Sequence, residues 1–238
     1  MSTTAAALPL PHRFRCADFQ RVAPIDEDSL WGLIFERNAD AIQVKRRDAA
    51  MENLPKIFAA TFRLANSSGF QAMTLRDLCR ETGMSMGGLY SYIANKDSLS
   101  AMIEDVIRYI CDMLPEWFGA IPYPLDRVEA ILRGHLFLSE TLQPWFFFMY
   151  METRSLPIEQ RRESMASELG IEKHLAQLLT SPSRLSTSES QLLASHALSL
   201  VQDWHLKRWK YNAAEVSVDA FADSVVALIR LRAAPQAL

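Results

Sequence analysis

The chain has 238 residues, 49% hydrophobic and 22% charged, with a formal net charge of −3; this excludes a disordered chain, which needs low hydrophobicity and high net charge. Eight Gly and eleven Pro exclude a collagen-like or linker-rich chain. No stretch approaches the roughly 18 consecutive apolar residues of a membrane span, Met1 to Pro11 lacks a secretory leader pattern, and Cys16, Cys79 and Cys111 form no CxxC pair, so a reducing, cytoplasmic setting is expected.

Residues 1–44 read as an extension. Pro9, Pro11 and Pro24 interrupt any helix before residue 25. One short helix is expected behind Asp26-Glu27-Asp28-Ser29, where acidic side chains suit the positive end of a helix carrying Leu30, Trp31, Leu33, Ile34 and Phe35. The composition leaves open whether this extension packs as an arm or stays apart. From Arg47 the helical period is clear: Leu54, Ile57, Phe58, Thr61, Leu64 and Ala65 fall at steps of three and four, and Gly69 supplies the stop. Thr74 opens a brief helix in which Asp77 completes a capping box, and Thr82-Gly83 ends it. Ser85 caps another, Met86 to Ile93, and a long helix starts at Ser98 with the stripe Leu99, Met102, Ile103, Val106 and Ile110. Beyond it, helices are expected over 125–141, 144–154, 158–179, 188–211 and 217–232, separated by prolines and by the Ser/Thr-rich segment 180–188. Strand alternation is missing, so the predicted class is all-α.

Two short helices around a glycine-centred break over 74–93 are helix-turn-helix arithmetic. The second carries Ser85, Met86, Gly87, Gly88, Tyr90, Ser91 and Tyr92, with only Leu89 and Ile93 aliphatic. Adjacent glycines are costly in a helix unless something must approach its backbone, and a DNA major groove is such a partner. The surrounding segment Lys45–Ser100 holds eight Lys/Arg against five Asp/Glu inside an otherwise acidic chain, which suits a polyanion.

The run from Ile57 to Leu99 resembles the DNA-binding domain of the TetR family of bacterial transcriptional regulators. The pattern is Ile57-Phe58, Thr61, Leu64-Ala65, Gly69-Phe70, Thr74-Leu75, Leu78-Cys79, Gly83-Met84-Ser85, Gly87-Gly88-Leu89-Tyr90, Tyr92-Ile93, Lys96-Asp97 and Leu99, without a gap. Ala65 and Ile93 stand where the family usually has Phe, and Cys79 where it usually has Ala. The resemblance implies three parts: the extension 1–44, a helix-turn-helix domain over 45–97, and a helical ligand-binding and dimerisation domain over 98–238. It also implies roles. Thr74 would hold a phosphate with its hydroxyl and backbone N–H. Tyr90 and Tyr92 would lie on the exposed side of the recognition helix, and Lys96 would neutralise a phosphate. Ser85, Met86 and Gly87 would face base edges, Arg76 would reach bases or backbone, and Lys45, Arg46 and Arg47 would meet flanking phosphates or the minor groove.

Two late stripes, Leu192, Leu193, His196, Leu200, Val201, Trp204 and Val218, Phe221, Val225, Leu228, Ile229, suit a homodimer seam. Trp117, Phe137, Trp145, Phe148 and Trp204, with Glu152 as a polar anchor, are the expected lining of an apolar effector pocket. The stretch Met149–Pro157 resembles one in relatives that sense acyl-CoA thioesters; there Glu152 and Arg154 read either as pocket anchors or as a solvent-exposed pair. No cofactor or metal site is expected: His135, His174, His196 and His205 lack ligand spacing, and GxSxG, phosphate-loop and dinucleotide motifs are missing. The expected protein is a ligand-responsive repressor that binds a palindromic DNA operator as a dimer, not an enzyme or a membrane protein. Two alternatives are an all-α enzyme acting on an apolar substrate, and a family member that has lost DNA binding and serves as a protein-interaction module.

Overall fold

The computed structural model describes residues 6–152, 157–181 and 185–234. Among them helices are the only regular elements: α1 (Cys16–Val22), α2 (Glu27–Arg37), α3 (Arg47–Ser68), α4 (Leu75–Thr82), α5 (Met86–Tyr90), α6 (Lys96–Asp112), α7 (Leu114–Trp117), α8 (Pro124–Thr141), α9 (Gln143–Glu152), α10 (Ile158–Thr180), α11 (Thr187–Leu206), α12 (Arg208–Ala213) and α13 (Val218–Ala233). The all-α class is therefore what the chain adopts. Among the described residues no helix is long and apolar enough to cross a membrane.

Local chemistry sets the ends. The Asp26 carboxylate accepts from Ser29 N–H at 2.7 Å and starts α2; Ser186 and Glu189 cap each other at the start of α11. Gly69 and Gly83 take φ of +84° and +71°, a region that L side chains avoid, and so release α3 and α4 into tight turns. Three expectations change. Residues 1–25 are not wholly irregular, because α1 forms where Phe19 and Cys16 bury one face. The recognition helix stops at Tyr90 instead of Ile93: its two glycines hold helix weakly, and the turn after it buries both Tyr92 and Ile93. The expected helix 188–211 breaks at Lys207, and the break lets Tyr211 stack on Trp204 at 5.2 Å and meet Phe221 at 4.7 Å.

The chain packs into two compact units whose limits differ from the boundaries expected at 44/45 and 97/98. One comprises Pro24–Arg108 with Pro144–Ser164; the other comprises residues up to Ala23, Tyr109–Gln143 and Met165 onward. The extension is thus divided between them. In the first unit, α2 packs on α3 and α3 on α4. Its aromatic core joins Trp31, Phe58, Phe62 and Phe70 to Trp145 and Phe148 of α9, with Trp145 at 5.1 Å from Phe58 and Phe148 at 5.0 Å from Phe70. In the second unit, α8 packs against α11, α13 and α1. Phe14 and Phe19 from the extension are buried there against Phe118, Phe137 and Trp117. Gly134 marks a close approach in α8, since a Cβ there would lie 2.5 Å from the Phe118 ring.

Candidate nucleic-acid interface

Residues 74–96 form the site, and α4 and α5 present it. Ser85 caps α5 by accepting from Gly88 N–H at 3.1 Å, and a Cβ on Gly88 would crowd that hydroxyl at 3.2 Å. Gly87 differs: a Cβ there would meet nothing within 4 Å, so the chain's own packing does not demand glycine at this position. Leu89 anchors the helix to the core, while Ser85 and Gly87 are exposed and Tyr90 is 44% exposed. Met86 is half-buried. Arg76, on the first turn of α4, is exposed and makes no ion pair among the described residues.

The start of α4 already holds an anion. Asp77 Oδ2 accepts from the Thr74 hydroxyl at 2.6 Å and from its backbone N–H at 3.0 Å, while Thr74 Oγ1 accepts from Asp77 N–H at 3.2 Å. Those two Thr74 bonds hold the Asp77 carboxyl below the usual carboxylate range, and Arg80 adds to the effect. The hydroxyl and N–H expected to grip a phosphate are therefore committed to Asp77. A capping box and a phosphate compete for the same donors, and here the box has them.

Tyr92 does not lie where the resemblance implies. It is 5% exposed, not on the open side of the helix, and it lies beyond the end of α5. Its hydroxyl donates to the Ala49 carbonyl at 3.1 Å and accepts from Asn53 Nδ2 at 3.0 Å, pinning the turn to α3. Tyr92→Phe is expected to lower unfolding free energy by about 1 kcal/mol, the worth of an ordinary internal hydrogen bond. Denaturant unfolding measures it, and a variant as stable as wild type would show that the hydroxyl contributes nothing.

Lys96 is half-buried, and its ammonium donates to the Phe70 and Gln71 carbonyls at 3.2 and 2.8 Å while lying 5.2 Å from the Phe70 ring centroid. Two of its three N–H donors thus close the turn between α3 and α4, and one is left for another acceptor. Lys45 likewise donates to the Ala39 and Ile42 carbonyls. Arg47 is held by Glu36 of α2 at 2.7 Å. Arg46 meets Asp48 at 3.1 Å, with both side chains 80% exposed, and such a pair exchanges readily for another anion.

The expected effector residues are divided between the two units. Trp117 and Phe137 are close-packed with Phe14, Phe19 and Phe118, and Trp204 with Tyr211 and Phe221, in the second unit. Trp145 and Phe148 are core rings of the first unit, where Glu152 is half-buried at the end of α9. Trp204 Nε1 also donates to Glu140 at 2.9 Å. Aromatic spacing on a helix does not distinguish a ring that lines a lumen from one that fills a core. Arg154 lies outside the described residues. Among the described residues no group of three or more His, Cys, Asp or Glu could hold a metal ion.

Residues 57–101 match the family model described as bacterial regulatory proteins, tetR family. The HTH-type transcriptional regulator HbdR of Aromatoleum sp. (strain CIB) is 20% identical over 166 residues, spanning 67% of this chain and 72% of that protein. The crystal structure of AibR in complex with isovaleryl coenzyme A and operator DNA has a TM-score of 0.59 at 21% identity, over 72% of this chain and 95% of that one. That of FadR from Bacillus subtilis in complex with stearoyl-CoA has a TM-score of 0.56 at 16% identity, over 74% and 97%. At these identities the structural likeness is one of fold.

Proposed function

Residues 57–101 make the chain a member of the TetR family of bacterial regulatory proteins, and from that premise we propose a ligand-responsive transcriptional repressor that binds a palindromic operator as a homodimer in the cytoplasm. An apolar or aromatic small molecule releases it, with acyl-CoA thioesters the first class to test. The observation that carries the reading is the open face of α5, where a glycine with empty space around it stands beside an exposed tyrosine on a helix anchored by one buried leucine. Such a helix leaves room for a base-pair edge to come close. Arg76, Ser85, Met86, Gly87 and Tyr90 make the central contacts, Arg46 and the remaining donor of Lys96 meet phosphates, and Tyr92 and Thr74 hold the module together.

Dimerisation is supported by what the late helices leave uncovered. Leu193, Val201, Val225 and Ile229 are buried within the chain, whereas Leu192, Leu228 and Leu231 are 58%, 54% and 78% exposed. A second copy covering these leucines supplies the second recognition helix that a palindrome needs. The effector class is supported by relatives crystallised with isovaleryl coenzyme A and stearoyl-CoA. In this reading the effector favours a state in which the two recognition helices are wrongly spaced, and it shifts the balance only by its difference in affinity for the two states. The helix α6 is the lever.

Selection of duplexes from a random pool, followed by binding at several salt concentrations, tests the proposal. Arg46→Ala is expected to flatten the salt dependence by about one phosphate, and substitution of Ser85 or Met86 to change the recovered sequence. No enriched duplex would sink the DNA-binding reading. Unchanged affinity in the presence of either isovaleryl-CoA or stearoyl-CoA would remove the thioester class.

A further inference from the structure

We infer that α2 and the segment Ile42–Val44 behind it form a strap that positions the recognition helix against α6, with Arg37 and Asp105 as its positioning residues. The inference rests on the DNA-binding reading for its effect on affinity, but its geometry stands by itself. The strap lies wholly before residues 57–101, so the helix-turn-helix motif does not include it.

One end is fixed to α6. Arg37 Nε and Nη2 donate to the two oxygens of Asp105, each at 2.6 Å, the forked pairing that a guanidinium and a carboxylate make when both are held still. Asp105 is itself steadied by Arg108 at 2.9 Å. The other end is fixed to the recognition helix. Ser91, the residue after α5, accepts through its carbonyl from the backbone N–H groups of Gln43 at 2.9 Å and Val44 at 3.2 Å. The span between is rigid. Leu30, Ile34 and Ile42 are fully buried, and Trp31 packs 5.8 Å from Phe58. Asn38 Nδ2 donates to the Ile34 carbonyl, and Lys45 ties down the Ala39 and Ile42 carbonyls. Gly32 lets Arg47 lie close, because a Cβ there would come within 2.7 Å of the Arg47 guanidinium. A displacement of α6 at Asp105 is therefore carried through packed side chains and main-chain bonds to Ser91.

The test uses the full chain, a duplex recovered by wild type from the random pool, and amide exchange over residues 84–93. Arg37→Ala and Asp105→Ala are each expected to weaken duplex binding about tenfold, the double variant to be no weaker than either, and Arg37→Lys to recover only part of the loss, since an ammonium keeps the charge but not the fork. Both alanine variants should exchange faster at 84–93 than wild type, with protection within 47–68 retained; a merely structural role would loosen both segments together. Wild-type exchange at 84–93 in Arg37→Ala, or additive losses in the double variant, overturns the strap. Should wild type recover no duplex, the DNA-binding reading fails while the exchange comparison still decides the strap. If Arg37→Ala does not fold, Asp105→Asn, which keeps the side-chain size and removes the charge that Arg37 holds, is measured in its place with the same expected losses.

Discussion

Arg133→Met is expected to lower the unfolding free energy by about 3 kcal/mol, because it removes the central cation from a buried ion cluster and leaves its two carboxylates with one partner fewer each. Arg133 is 1% exposed and Glu129 4% exposed. The guanidinium donates to Glu129 at 3.0 Å and to Asp223 at 2.5 Å. Burial pushes the Asp223 carboxyl up, but the Arg133 hydrogen bond and charge outweigh it and hold the group below its usual range. Two neighbours soften the loss. Arg230 still reaches Glu129 at 2.8 Å, and Arg15 still reaches Asp223 at 3.1 Å. The effect therefore belongs at the lower end of what breaking buried pairs costs. Denaturant unfolding measures it. The triple variant Arg133→Met, Glu129→Gln, Asp223→Asn should regain much of the stability, since no charge then remains buried without a counterpart. A single variant within half a kcal/mol of wild type would mean that this cluster contributes little.

Acidification is expected to loosen one unit and tighten the other. On α8, burial depresses the His135 imidazole from 6.5 to about 4; on α11, burial and then the charge of His135 depress His205 to about 3. Both are neutral in the fold, while the unfolded chain takes up protons near pH 6.5. Stability from these histidines is full above pH 6.5 and is lost as pH falls toward 4, by about 3 kcal/mol from His135 alone at 1.4 kcal/mol per pH unit. Glu104, on α6, has the opposite sign. It is 3% exposed, and burial outweighs the nearby Arg108 to raise its carboxyl from 4.5 to about 7. Its folded form binds a proton that the unfolded chain gives up, so its contribution grows as pH falls from 7 to 4.5. Amide exchange, corrected for intrinsic rate, checks both signs in one experiment. From pH 7 to pH 5, α8 and α11 should lose protection while α6 gains it, and Glu104→Gln should abolish the gain. Equal protection of α8 at the two pH values would contradict the histidine account.

Local rules carried much of this protein. Apolar periodicity, caps at Thr74 and Ser85, and stops at Gly69 and Gly83 are properties of a few neighbouring residues, and the helices follow them closely. The helix-turn-helix was legible for the same reason: its spacing is set by turns, and its open helix by a shortage of aliphatic residues. Local rules conflict where two of them claim one set of atoms. Thr74 suits both a cap and a phosphate grip, yet its hydroxyl and N–H are held by Asp77.

By itself the sequence determined the all-α class, the stops at Gly69 and Gly83 and the presence of a recognition helix, because each depends on backbone propensity and contacts within about four residues. Only the tertiary structure decided that Tyr92 faces inward, that Phe14 and Phe19 complete a core formed about a hundred residues later, that Trp117, Phe137, Trp145, Phe148 and Trp204 fill cores, and that Ser91 is bonded from behind by Gln43 and Val44. Those outcomes depend on which buried faces meet and which carbonyls find donors far along the chain, and no local period encodes either.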